Sequence, residues 1–117
     1  MKLSAHFERM EFACHCGCGL DTVDCQLLEV LEIIRQNFDA AVSINSACRC
    51  PDHNASVGGS ERSQHLYGRA ADIVVSGVHP DEVADYLDKT FPDSLGLGRY
   101  NSFTHVDTRV GKARWDG

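Results

Sequence analysis

Ser63-Gln64-His65-Leu66-Tyr67-Gly68-Arg69-Ala70-Ala71-Asp72-Ile73-Val74-Val75 sets a histidine and an aspartate seven residues apart, across a glycine, and runs straight into β-branched residues. Ile73-Val74-Val75 reads as a buried strand. Asp72 therefore stands where a loop meets apolar structure, and a carboxylate there needs a partner, because an unpaired buried charge is costly. A second histidine follows far downstream in Phe103-Thr104-His105-Val106-Asp107, another strand-like run. Two imidazoles and one carboxylate are the donor set of a catalytic zinc site that keeps its fourth position open. His65, Asp72 and His105 are thus the expected ligands of one Zn2+. A His-x6-Asp spacing alone recurs in unrelated loops. The weight comes from the strand after Asp72 and from the second strand that carries His105.

The pattern extends in both directions. Asp21 to Phe38 predicts a helix, capped by Asp21 or Thr22, with Leu27, Leu28, Val30, Leu31, Ile33, Ile34 and Phe38 forming a broad apolar face. Ala41-Val42-Ser43-Ile44-Asn45 alternates like a half-buried strand and passes into a loop through Ser46 to Asn54. A second helix is expected after Gly77. Pro80 suits its first turn, Asp81 and Glu82 favour its positive end, and Pro92 stops it. His79 reads as structural at that helix's edge. Leu95 to Tyr100 and Phe103 to Arg109 predict two strands turning at Asn101-Ser102. Alternation puts Phe103, His105, Asp107 and Arg109 on one face. The tail carries the only tryptophan, Trp115, which is expected to pack back on the domain. The fold class this gives is α+β: a small antiparallel sheet with two main helices on one side. One domain spans 1–117, with 1–20 as an N-terminal arm.

Taken together, Phe12-Ala13-Cys14, Ser46-Ala47-Cys48-Arg49-Cys50-Pro51, His53-Asn54, Gly58-Gly59, Ser63-x-His65-x-x-Gly68-x-Ala70-x-Asp72, Gly98-Arg99-Tyr100 and His105-Val106-Asp107 resemble the zinc D-Ala-D-Ala metallopeptidases. These have the Hedgehog/DD-peptidase fold, and the likeness is to their small, phage-type members. The resemblance implies a D,D-carboxypeptidase or endopeptidase, with Zn2+ as cofactor and peptidoglycan stem peptides as partners.

Arg49 is the candidate for capturing a substrate's terminal carboxylate, since a planar guanidinium suits bidentate recognition. Ser63 and Tyr67, on either side of His65, are the other candidates for substrate contact. The chain departs from the family pattern at Ser102, where many members have an acid three residues before the last histidine ligand. Asp107 is the substitute candidate for general base, and its competing role is to orient His105 from behind. His53 is a weaker option. Ser60 and Ser63 lack a neighbouring base and the strained elbow of a serine hydrolase. The missing acid speaks for an alternative: a non-catalytic zinc-containing binding module or phage structural component on the same fold. A third reading is a cysteine-rich interaction module built on Cys14 to Cys50.

With 117 residues, 43% hydrophobic and 24% charged, the chain is long enough for one core. Its net charge of -6 argues against a general nucleic-acid binder. No apolar run reaches the length of a membrane span, and the first ten residues lack the apolar stretch of a secretory signal. Synthesis in the cytoplasm is expected, with the virion or lysis giving access to a cell wall. Six cysteines in such a chain read as reduced thiols acting as small apolar residues. Cys14-His15-Cys16-Gly17-Cys18 leaves a structural zinc as the other possibility, although Cys48-x-Cys50 is tighter than the usual knuckle.

Overall fold

The structure is a computed structural model and describes residues 2–60 and 63–117. Helix α1 (Cys25–Phe38) begins later than its apolar pattern suggests. Asp24, rather than Asp21 or Thr22, is the N-cap, accepting from the Leu27 N–H at 3.2 Å. The preceding residues are pinned elsewhere: Asp24 N–H donates to Gly68 O, and Thr108 Oγ1 donates to Asp24 Oδ2. Helix α3 (Pro80–Thr90) is capped by His79, whose Nδ1 accepts from the Asp81 N–H at 3.1 Å. A short helix, α2 (Pro51–Ser56), occupies what the sequence suggests is loop. Its six residues carry no apolar periodicity, but Pro51 presets its first turn.

The strands are β1 (Val42–Ser46), β2 (Ala70–Val75), β3 (Leu95–Arg99), β4 (Thr104–Asp107) and β5 (Lys112–Asp116), in sheet order β1-β2-β4-β3-β5. Four are antiparallel to their neighbours, as expected. The sheet as a whole is mixed, because the tail adds β5 parallel to β3. A strand returning in that direction leaves no hairpin turn to read. Its anchor is Arg114, whose guanidinium donates to the carbonyls of Phe91, Ser94 and Leu95 and to Asp88 Oδ1. The β3–β4 connection is four residues, Tyr100 to Phe103, rather than a two-residue turn.

Alternation along the strands divides the sheet into two faces. Ile73 and Val75 of β2, Leu95 and Leu97 of β3 and Val106 of β4 pack with Leu27, Leu31 and Ile34 of α1 and with Val83 and Leu87 of α3. Each such fully buried aliphatic side chain contributes roughly 1.5–3 kcal/mol. Both main helices thus cover one face. The intervening residues, Asp72, Gly96, Gly98, His105 and Asp107, point to the other. Among the cysteines only Cys14 and Cys48 are buried, and Cys16, Cys18 and Cys25 are exposed. The expectation of six core thiols is therefore corrected: most lie in or beside irregular surface segments, where they cannot serve as core. Among the described residues no helix is long and apolar enough to cross a membrane.

Candidate metal centre

Cross-strand pairing sets Asp72 of β2 directly opposite His105 of β4. Asp72 Oδ1 lies 2.9 Å from His105 Nδ1. His65 arrives from a 3-10 turn, Gln64–Tyr67, that ends two residues before β2. Ser63 Oγ caps this turn by accepting from the His65 N–H. Gly68 closes it at φ 68, and a Cβ there would stand 2.5 Å from the Thr22 carbonyl oxygen. Both the backbone region and the space exclude a side chain. The turn delivers His65 Nε2 to 3.3 Å from the same Asp72 Oδ1. One donor atom from each of His65, Asp72 and His105 lies within 4.8 Å of the others.

The far nitrogens of the two rings are already engaged. His65 Nδ1 is 2.7 Å from Ala47 O, which can only accept, so Nδ1 carries the proton. His105 Nε2 is 2.8 Å from Asp107 Oδ2 and donates to it. In neutral imidazoles this leaves two lone pairs, His65 Nε2 and His105 Nδ1, facing one carboxylate oxygen. Three electron-rich atoms meeting at one buried point need a cation or extra protons between them. The donor set therefore fits a divalent metal.

The charges around this point reinforce one another. Burial acts to raise the Asp72 pKa, but hydrogen bonds from His105 and His65 outweigh it and hold the carboxyl far below its usual range. Burial likewise opposes ionisation of His105, and the Asp107 and Asp72 carboxylates overcome it, raising its pKa. Asp107 is fully buried. It accepts a two-pronged ion pair from Arg109 Nε and Nη2, at 2.8 and 2.7 Å, and the N–H of Gly96 at 3.1 Å. Burial would raise its pKa too, but Arg109 and His105 drive it well down.

His65, Asp72 and His105 form the floor of a cleft of about 640 Å3, lined also by Arg49, Gly59, Ser63, Gln64, Tyr100, Phe103, Arg109 and Trp115. Arg49 Nη2 reaches Asp72 Oδ2 at 3.4 Å, Nε donates to Ser46 Oγ and Nη1 to Asn54 Oδ1. Gly59 permits this fork, since a Cβ there would overlap the Asn54 side chain and lie 3.1 Å from Arg49 Nη1. On the opposite wall Tyr100 and Phe103 stack at 4.4 Å. Trp115, hydrogen-bonded to Tyr100 Oη, lies 5.0 Å from the His105 ring.

Of the residues singled out from sequence, His65, Asp72, His105 and Arg49 come together, and Ser63 lines the cleft while its hydroxyl serves as a cap. Tyr67 does not join them: it is exposed beside Arg69 and off the cleft wall. His53 packs edge-on against His15 and does not line the cleft. Ser102 is exposed and outside it as well. Sequence reasoning passed over Gln64, whose Oε1 is buried with no hydrogen-bond partner among the described residues. It also passed over the wall formed by Tyr100, Phe103 and Trp115. The available signal for that wall was Gly98, opposite both His105 and Trp115 in the sheet, where a side chain would collide with the indole.

A family model described as Peptidase M15 matches residues 5–107. The chain belongs to the Peptidase M15 family. It is therefore a metallopeptidase, acting on a peptide substrate, and His65, Asp72 and His105 are residues able to hold its metal. The match takes in the whole of this M15 peptidase's site floor and stops before β5, so Trp115 comes from outside the matched segment. No curated protein matches the chain.

Proposed function

We propose that this M15 peptidase is a zinc enzyme that hydrolyses D-amino-acid-containing stem peptides of peptidoglycan, as a D,D-carboxypeptidase or endopeptidase. The observation that carries the reading is the convergence of two imidazole lone pairs and one carboxylate oxygen on the floor of an open cleft, with a guanidinium alongside. Two nitrogen donors and one oxygen donor, with the cleft side left open, suit catalytic zinc. When bound, zinc supplies Lewis acidity, acidifying water and polarising a carbonyl. The cell wall is then its place of action.

The chain's own residues divide the remaining work. Asp107 and Ala47 O keep protons on the far ring nitrogens, so that His105 Nδ1 and His65 Nε2 stay electron-pair donors. In this reading Asp107 orients His105 and is not the base, because its carboxylate is sealed beneath Arg109 and Gly96. Arg49 has three of a guanidinium's five N–H groups engaged. Its open edge on the cleft would take the substrate's terminal carboxylate and set its distance from the metal. Phe103, Tyr100 and Trp115 offer an apolar wall for the methyl groups of alanine residues.

Zinc-loaded protein incubated with a defined muropeptide ending in D-Ala-D-Ala should release D-Ala, detected by mass. His65→Ala should abolish the release. If a cross-linked dimer is cut instead, the endopeptidase form of the reading holds. If neither is cut with any divalent metal, hydrolysis of wall peptides is excluded. The second reading, a ligand-binding module, then takes over. It is favoured by one observation: among the described residues, Asp72 is the only carboxylate that lines the cleft.

A further inference from the structure

Four thiols meet at a point remote in sequence from the histidines. Cys14, Cys16 and Cys18 come from the irregular segment before α1, and Cys50 is the N-cap residue of α2. The Sγ separations are 3.5 Å for Cys14–Cys16, 3.8 Å for Cys14–Cys50 and 3.6 Å for Cys16–Cys50. The Cys18 sulfur lies within 4.8 Å of all three. A disulfide needs about 2.05 Å, so these are not bonded pairs. Four sulfurs placed tetrahedrally around zinc at about 2.3 Å stand about 3.8 Å apart. The spacing therefore matches one shared ion. An iron–sulfur cluster, with its several atoms, would hold the cysteine sulfurs further apart.

We propose that Cys14, Cys16, Cys18 and Cys50 form a second, structural zinc site that fastens the N-terminal arm to the corner carrying Arg49. Two further features support it. Backbone N–H groups already point at the sulfurs, Cys50 N–H at Cys14 Sγ and His53 N–H at Cys50 Sγ, both at 3.4 Å. Such bonds favour thiolate over thiol. Moreover, residues 13–24 contain no helix or strand, and Cys16 and Cys18 are exposed there. Neither core packing nor a hydrogen-bond ladder explains why those two side chains should converge on Cys14 and Cys50. Gly17 at φ 83, between Cys16 and Cys18, and Gly19 at φ 89, just after them, supply sharp bends in a segment that carries three cysteines at alternate positions. Each coordinating thiol gives up its proton to solvent as the ion binds. Cys48, buried at 2% exposure, and Cys25 take no part.

The spacing also explains why the site is hard to see in the sequence. It is not a pair of Cys-x2-Cys knuckles: one short segment supplies three ligands and α2 supplies the fourth.

The test uses the full chain purified with zinc. Elemental analysis should find one ion more than the histidine site accounts for. His65→Ala/His105→Ala should keep that extra ion, and Cys16→Ser/Cys18→Ser should lose it, with Cys25→Ser as an unaffected control. Cobalt replacement gives a readout that does not depend on the cysteine variant folding. The His65→Ala/His105→Ala protein loaded with Co2+ should show thiolate-to-metal charge-transfer absorption in the near-ultraviolet, and a mercurial reagent should discharge it. Absence of that band, or zinc content unchanged in Cys16→Ser/Cys18→Ser, overturns the proposal. Iron in place of zinc, with a cluster spectrum, overturns it also. Since the histidine variants lack the proposed catalytic site, this outcome is independent of whether the protein cleaves wall peptides.

Discussion

Gly96 lies directly under the carboxylate of Asp107. The two are partners across β3 and β4, the Gly96 N–H donates to Asp107 Oδ1 at 3.1 Å, and any Cβ on Gly96 would fall onto the carboxylate itself. Asp107 in turn holds the ring of His105. A residue with no side chain, two strands away from Asp72, thus governs the orientation of the metal-ligand candidate His105.

Gly96→Ala is the first consequence to test. The added methyl must push Asp107 aside, and His105 loses the acceptor that fixes its tautomer. Loss of such a partner typically lowers metal affinity by about 10–100-fold. Competition with a chromogenic chelator measures it, and circular dichroism checks that the sheet survives. Unchanged affinity in a folded variant would show that His105 needs no support from behind.

Asp107→Asn separates two roles. As an orienting group, Asp107 can be replaced by an amide whose oxygen still accepts from His105 Nε2. Metal affinity should fall by about 10–100-fold, while turnover at saturating metal stays within about tenfold of the parent. As a general base, its loss would cut turnover by about 10²–10⁴-fold with metal retained. The buried position and the two-pronged Arg109 contact favour the first outcome.

How much of this was legible beforehand depends on the kind of signal. Asp72 and His105 were readable because strand alternation forces them to the face opposite Ile73 and Val106, and the sheet register then makes them neighbours. His65 was readable through the glycine that bends the chain between it and Asp72. Long-range chain direction carries no local signal, so β5 and the placing of Trp115 over Gly98 stayed hidden until the parallel pairing was seen. Tyr67 lies off the cleft wall for a related reason. It sits two residues from His65 on a 3-10 turn, where three residues complete one turn, so the two side chains point in different directions. The cap of α1 shifted because Asp24 is tied to Gly68 and Thr108, contacts that no local pattern records.

Arg49→Lys should expose the substrate's demand for a fork. Lysine keeps the charge but cannot reach Ser46, Asn54 and Asp72 while offering a planar edge. One charge-assisted hydrogen bond contributes about 1.5–3 kcal/mol. The kcat/KM for a peptide with a free C-terminal carboxylate should drop roughly 10–100-fold, and that for the C-terminal amide should change little. Equal losses for acid and amide would mean that Arg49 serves Asp72 alone.

The metal-free protein should show a stability maximum in mildly acidic solution. The pKa of His105 is raised in the fold: burial lowers it, but the hydrogen bonds to Asp107 and Asp72 outweigh burial. Its contribution is therefore fully present below the unfolded value of about 6.5 and is lost as pH rises through the higher folded value. Asp72 and Asp107 have depressed pKa values, since their partners outweigh the burial that raises them. Their contribution is present above about 3.9 and is lost as pH falls through the folded values. Between these limits both are intact, so Tm measured with chelator should be highest from about pH 4 to about 6.5 and decline on either side. Bound metal reverses the alkaline limb, because neutral imidazoles are what it requires and protons compete with it. The gap in Tm between loaded and stripped protein should therefore widen as pH rises. The assignment to His105 is checked in the stripped His105→Gln variant, where the alkaline decline should disappear. Its persistence there would place the titrating group elsewhere.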